Sequence, residues 1–197
     1  RSAAPFATKV GYFEDPADFR RPAAIKRQIE DNPRRLRRDR VDLLQVHEAN
    51  WSAWWQGGGG RERLSPEQRC DFAGAPVFDA LRAAKAEGRC RFIGITGNVA
   101  SEMTRALRNV AVDALLIAFN YDLVLRTAEA ELLPLARENQ VALFAALLLC
   151  VTHETRAEDW EAAFDRADRI RYYAVPGASI EMSVAAAGWP GVTAITC

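Results

Sequence analysis

A chain of 197 residues that is 49% hydrophobic and 26% charged is long enough for one sizeable core and has the make-up of an ordinary globular protein. Its 26 basic and 26 acidic side chains cancel, which removes any global electrostatic argument for nucleic acid or an anionic membrane as partner. The longest apolar run, Val141–Val151, falls far short of the roughly 20 residues that cross a bilayer, and Arg1–Pro5 is not followed by the apolar stretch of a signal peptide.

The first β-type run is Phe6-Ala7-Thr8-Lys9-Val10-Gly11. The stretch from Asp18 to Arg38 predicts a helix in which Pro33 is the natural point of interruption. Its end carries the run Arg34-Arg35-Leu36-Arg37-Arg38, read as a solvated helix end with Leu36 as its buried anchor. The second run is Val41-Asp42-Leu43-Leu44-Gln45-Val46-His47. Trp51, Trp54 and Trp55 follow it, and three indoles so close together are costly to leave in water. Gly57 to Gly60, between a Trp-rich segment and Arg61-Glu62-Arg63, reads as a flexible linker and not as a phosphate cradle.

Residues 75 to 87 place Val77, Leu81 and Ala84 at helical spacing, with Gly88 as C-cap. The third run is Arg91–Gly97, and the helix over 99 to 109 groups Met103, Ala106, Leu107 and Val110. Ala114–Asn120 is the fourth run, followed by a helix over 128 to 138 with Ala128, Leu132, Leu135 and Ala136 on one side. Val141–Leu149 is the fifth, helices are expected over 158 to 174 and 178 to 187, and Val192–Cys197 is the sixth. Several runs are apolar at successive positions, the pattern of strands buried on both faces of a parallel sheet.

Cys70, Cys90, Cys150 and Cys197 form no C-x-x-C pair and read as reduced thiols of a cytoplasmic protein. With only two histidines, a multi-histidine metal site is excluded, and no metal is expected. His153, beside Thr152 and Glu154, receives no role.

Repeated strand–helix units predict a parallel sheet with outer helices, either open and doubly wound or closed as a (β/α) barrel. Pattern alone does not choose. The residues themselves resemble the aldo-keto reductases. Phe6 to Gly11 is similar to that family's third strand, and Leu36 to His47 to its fourth. Ala86-Glu87-Gly88-Arg89-Cys90-Arg91-Phe92-Ile93-Gly94-Ile95-Thr96-Gly97-Asn98 resembles the fifth. Val112-Asp113 to Phe119-Asn120-Tyr121, with Glu131 to Ala136, resembles the sixth strand and its helix, and Gly191 to Ile195 the eighth strand.

The resemblance implies a (β/α)₈ TIM-type barrel, incomplete over this chain, with about six parallel strands in a single domain spanning 1–197 and the site at the strands' C-terminal ends. It implies NADPH-dependent reduction of an aldehyde or ketone, with NADH as the alternative cofactor. Lys9 corresponds to the catalytic lysine and His47 to the catalytic histidine, both expected at one edge of the sheet. Thr96, Asn98 and Asn120 are the expected cofactor contacts, although strand termination, helix capping and an Asx turn explain the same residues. Trp51 and Trp54 are expected to wall the substrate pocket, although packing of a loop or of a subunit contact explains the same indoles. A small carbonyl or sugar-like molecule is the expected substrate, with no nucleic acid, no membrane and a homo-oligomer left open.

The family's tyrosine acid and its aspartate precede the lysine, whereas Arg1 to Thr8 contain neither, and Tyr12 and Asp15 lie on the wrong side of Lys9. The first two strands and the last cofactor loop are therefore expected to lie outside the chain, which by itself should not turn over carbonyls. Leu116 stands where a glutamine is frequent, and Ala146 to Val151 lack the usual Pro and Gly. These departures support a second expectation, a non-catalytic barrel used for binding or assembly.

Overall fold

The computed structural model describes residues 6–55, 60–71, 75–121 and 126–146. The sixth run, the helices over 158 to 174 and 178 to 187, and His153 lie outside them. Within them, strands β1 (Ala7–Val10), β2 (Val41–Val46), β3 (Cys90–Gly97), β4 (Ala114–Ala118) and β5 (Ala142–Ala146) alternate with helices α1 (Pro22–Arg35), α2 (Pro76–Ala86), α3 (Ala100–Asn109) and α4 (Leu132–Glu138). All four strand pairings are parallel, and the order in the sheet is the order in the chain.

That order decides between the two architectures. A doubly wound sheet reverses its strand order, whereas right-handed crossovers wound in one direction put every helix on one face. Leu44, Val46, Ile93, Ile95, Leu115 and Ile117 turn to that face and join the helical residues Ile25, Val77, Leu81, Met103 and Leu107 in one core cluster. The opposite face carries a row in register across all five strands: Lys9, Gln45, Gly94, Ala114 and Ala142. It is the barrel's inner face, and Phe92 on it remains 45% exposed.

The region from Asp18 to Arg38 departs from the single helix expected. Asp15 accepts a hydrogen bond from the Ala17 N–H and starts a short 3₁₀ helix, Pro16–Arg20, before Pro22 opens α1. Pro33 does not interrupt α1. It is buried in the last turn, where α1 ends two residues later. Leu36 is 41% exposed, so the apolar anchor at this end is Pro33 and not Leu36.

Helix α2 ends as its sequence suggests. Gly88 takes φ +73°, and the Arg89 N–H bonds the Ala84 carbonyl at 2.9 Å while the Gly88 N–H bonds that of Lys85 at 3.1 Å. Helix α4 is shorter than the stretch 128 to 138, because residues 127–131 form turns and the helix starts at Leu132. Among the described residues no helix is long and apolar enough to cross a membrane, and no group of His, Cys, Asp and Glu could hold a metal ion. Cys70 and Cys90 are free, buried thiols, and burial pushes Cys90 up to about 11.

Candidate active site

Lys9 is the penultimate residue of β1 and His47 directly follows β2, so both lie toward the C-terminal edge of adjacent parallel strands. The His47 N–H continues the ladder by donating to the Val10 carbonyl at 2.8 Å. Lys9 is exposed, pairs with no carboxylate among the described residues, and has its carbonyl held by the Asn32 amide at 2.7 Å.

The turn after β1 is tightly built. Gly11 sits at φ +134°, and a Cβ there would come within 3.0 Å of both His47 Cβ and Trp54 Cζ2, so only glycine fits. The Gln28 side chain accepts from the Gly11 N–H at 2.8 Å and donates to the Gly11 carbonyl at 3.2 Å. That clamp sets the next residue, Tyr12, at φ +73°, a conformation that is strained for a tyrosine. Its ring stacks on the His47 imidazole at 4.4 Å.

His47 is thus enclosed. Trp51 meets it edge-on at 5.5 Å, and the Trp54 indole N–H donates to the His47 carbonyl at 2.9 Å. Burial, aided by the positive charges of Lys9 and Arg61, lowers the imidazole to about 4, so the ring is neutral near pH 7. The Glu48 carboxylate approaches His47 Nε2 at 4.0 Å, and burial raises its own proton affinity. Among the described residues His47 Nδ1 and one Glu48 oxygen are buried without a partner.

The expected cofactor contacts are mostly occupied by other groups of the protein. Thr96 is 2% exposed; its hydroxyl accepts from the Glu48 N–H at 3.2 Å and its carbonyl from the Ala49 N–H at 2.7 Å. Asn120 is 9% exposed, caps α3 by accepting from the Ala100 N–H at 3.1 Å, and donates to the Asn98 and Ala118 carbonyls. Asn50 and Asn98 exchange amide contacts at 3.2 and 3.3 Å. These asparagines lace the ends of β2, β3 and β4 together. Asn98 is exposed and keeps its amide N–H₂ without a partner among the described residues, as does the buried Gln45. Together with half-buried Leu116, Ala118 and Phe144 on the inner face, these donors fit a flat ring bearing a carboxamide.

Trp51 is half-buried at the mouth. Trp54 is 0% exposed and lies beneath His47 as a support, packed against Phe13 and Phe19. Tyr12, Gln45, Glu48, Asn50 and Arg61 escaped sequence reasoning as site residues. Gln45 carried a signal, as the one uncharged polar residue of an otherwise buried strand; Tyr12 and Arg61 reach His47 only through the fold.

Parallel strands wound in chain order, with polar side chains gathered at their C-terminal ends, define a chain of the (β/α)-barrel class. The Aldo/keto reductase family profile matches residues 5–169, and the chain belongs to that family. It is 33% identical over 140 residues to a D-threo-aldose 1-dehydrogenase of a Pseudomonas species, covering 68% of this chain and 37% of that protein. It is 28% identical over 162 residues to L-galactose dehydrogenase of Arabidopsis thaliana, covering 80% and 45%. A solved structure described as an aldo-keto reductase from Pseudomonas aeruginosa superposes with a TM-score of 0.52 at 20% identity over 81% of this chain and 53% of that one, a likeness of fold. The chain therefore spans less than half the length of these curated relatives.

Proposed function

We propose that the protein carrying this chain is a nicotinamide-dependent oxidoreductase that interconverts a carbonyl and a hydroxyl on a small, sugar-like molecule in the cytoplasm. NADPH is the expected cofactor and NADH the alternative. The observation that carries the reading is the pairing of Lys9 with a neutral His47 at one edge of the sheet's inner face. A nicotinamide supplies or accepts the hydride when bound. The proton that the reduced oxygen takes up is left to the family's tyrosine acid, and this chain's own residues orient and stabilise. His47, neutral and fixed between Tyr12 and Trp51, orients the substrate oxygen as a hydrogen-bond donor. Lys9 contributes positive charge beside it, which stabilises negative charge developing on that oxygen. Asn98 and Gln45 offer the amide donors that would hold a carboxamide ring over the strand ends. The free buried thiols Cys70 and Cys90 are in keeping with a reducing compartment. The names of the relatives, an aldose and a galactose dehydrogenase, support the sugar-like substrate.

A second reading, a binding or assembly barrel, draws support from the internal bonding of Thr96 and Asn120 and from apolar Leu116. Steady-state turnover of the full-length protein with NADPH or NADH and a panel of aldoses and aldehydes separates the two. Lys9→Met and His47→Ala are each expected to lower kcat/KM by about 10²–10⁴-fold. An inert full-length protein would overturn the enzymatic reading in favour of the second.

A further inference from the structure

Arg61 is held beside the histidine by three independent restraints. The segment after β2 folds back on itself: the Ser52 N–H bonds the Glu62 carbonyl at 2.8 Å, the Ala53 N–H that of Gly60 at 2.9 Å, and the Leu64 N–H that of Asn50 at 3.0 Å. Trp51 and Arg63 form an antiparallel bridge across this loop. The Arg61 guanidinium then donates to the Phe13 carbonyl at 2.7 Å, from the turn after β1. Finally it lies 5.5 Å from the ring centres of both Tyr12 and Trp51. Those are the two rings that contact His47.

The charge on this group is unanswered. Among the described residues no carboxylate pairs with Arg61, and its neighbour Glu62 turns back to the Gly60 N–H and the Ser52 hydroxyl. Glu48, whose carboxylate stands 4.0 Å from His47 Nε2, is half-buried and forms no ion pair with Arg61. Lys9, at the same edge of the sheet, likewise forms no ion pair among the described residues. Arg61 is therefore an exposed, pre-positioned donor fork at this mouth. A guanidinium fixed by a backbone carbonyl and flanking rings loses little freedom on binding, and its planar geometry matches an oxyanion.

We infer that Arg61 is a specificity-determining residue that binds an anionic group, a carboxylate or a phosphate, carried by the carbonyl substrate away from its reacting carbon. The inference rests on the oxidoreductase reading above and names the class of substrate: acidic or phosphorylated sugars in preference to neutral ones.

The test compares D-galactose, D-galacturonate and D-galactose 6-phosphate as substrates of the full-length protein and of its Arg61→Gln and Arg61→Lys variants. At least one anionic sugar is expected to exceed galactose in kcat/KM, and whichever does so distinguishes carboxylate from phosphate. Arg61→Gln is expected to shrink that anionic-to-neutral ratio roughly 10- to 100-fold, mainly through KM, with partial retention in Arg61→Lys. Isothermal titration calorimetry with the same three sugars measures binding without turnover and covers the case of an inert protein. Arg61-dependent binding of an anionic sugar without turnover would sustain the anion site while removing the enzymatic reading. Equal ratios in wild type and Arg61→Gln, or no Arg61-dependent binding, would overturn the inference and leave the enzymatic reading standing.

Discussion

The chemistry of His47 is set by its surroundings. An imidazole free in water titrates near 6.5, and here burial first, then Lys9 and Arg61, lowers it to about 4. The fold therefore favours the neutral ring. The stabilising effect is present in full above about pH 6.5 and is lost as the pH falls toward 4, because the unfolded chain takes up the proton first. An NMR titration of the ring should show a midpoint near 4; a midpoint at 6 or above would remove the neutral-donor role. Beneath the ring, Trp54→Phe deletes the indole donor to the His47 carbonyl while keeping most of the packing. The lost bond should cost about 1–3 kcal/mol, read from urea unfolding, because the carbonyl is left without that partner.

Among the elements, the strand ends carry a test of what Asn120 does. It caps α3 and ties the end of β4 to Asn98. Asn120→Ala should cost about 1–3 kcal/mol of stability through the lost cap and the orphaned groups. If Asn120 instead touches the cofactor directly, Asn120→Ala raises the cofactor's KM more than it lowers stability. Close strand packing makes Gly94 another pressure point. A Cβ there would stand 2.6 Å from the Ala114 carbonyl and 3.1 Å from Gln45 Cγ. Backbone cannot move aside as a side chain can, so Gly94→Ala should cost about 1–3 kcal/mol by thermal unfolding. Helix α2 and its glycine stop were legible from apolar spacing alone. The break before α1 was not, because it depends on an Asp15 cap and on Phe19 burying itself in the aromatic cluster with Phe13 and Trp54.

At the scale of the molecule, the packed core and the proposed site occupy opposite faces of one sheet. The helix-facing side holds the core, with Leu81 at 0% exposure, and the inner side holds Lys9. Leu81→Ala should therefore cost about 2–5 kcal/mol by leaving a cavity, with kcat retained wherever the variant is folded. Lys9→Met should do the reverse: stability within about 0.5 kcal/mol of wild type, since the ammonium is exposed and unpaired, with turnover crippled. Paired unfolding and kinetic measurements on the two variants check the separation.

From the amino-acid pattern alone came the parallel α/β class, five of the strands, the ends of α2 and α3, and the family to which the chain belongs. These depend on local periodicity and on motifs contiguous in the chain, which one-dimensional reading can see. The positions of Lys9 and His47 at one edge of the sheet were legible for the same reason, since each sits at the end of a recognisable strand run. The family resemblance already implied the barrel, but only the tertiary structure sank Trp54 beneath the histidine. It also spent Thr96 and Asn120 on internal hydrogen bonds, and brought Tyr12 and Arg61 to the imidazole. Each of those outcomes depends on contacts between distant segments, such as Arg61 with the Phe13 carbonyl. Whether a polar side chain is free for a ligand depends on the partners the fold gives it, and no local pattern records them.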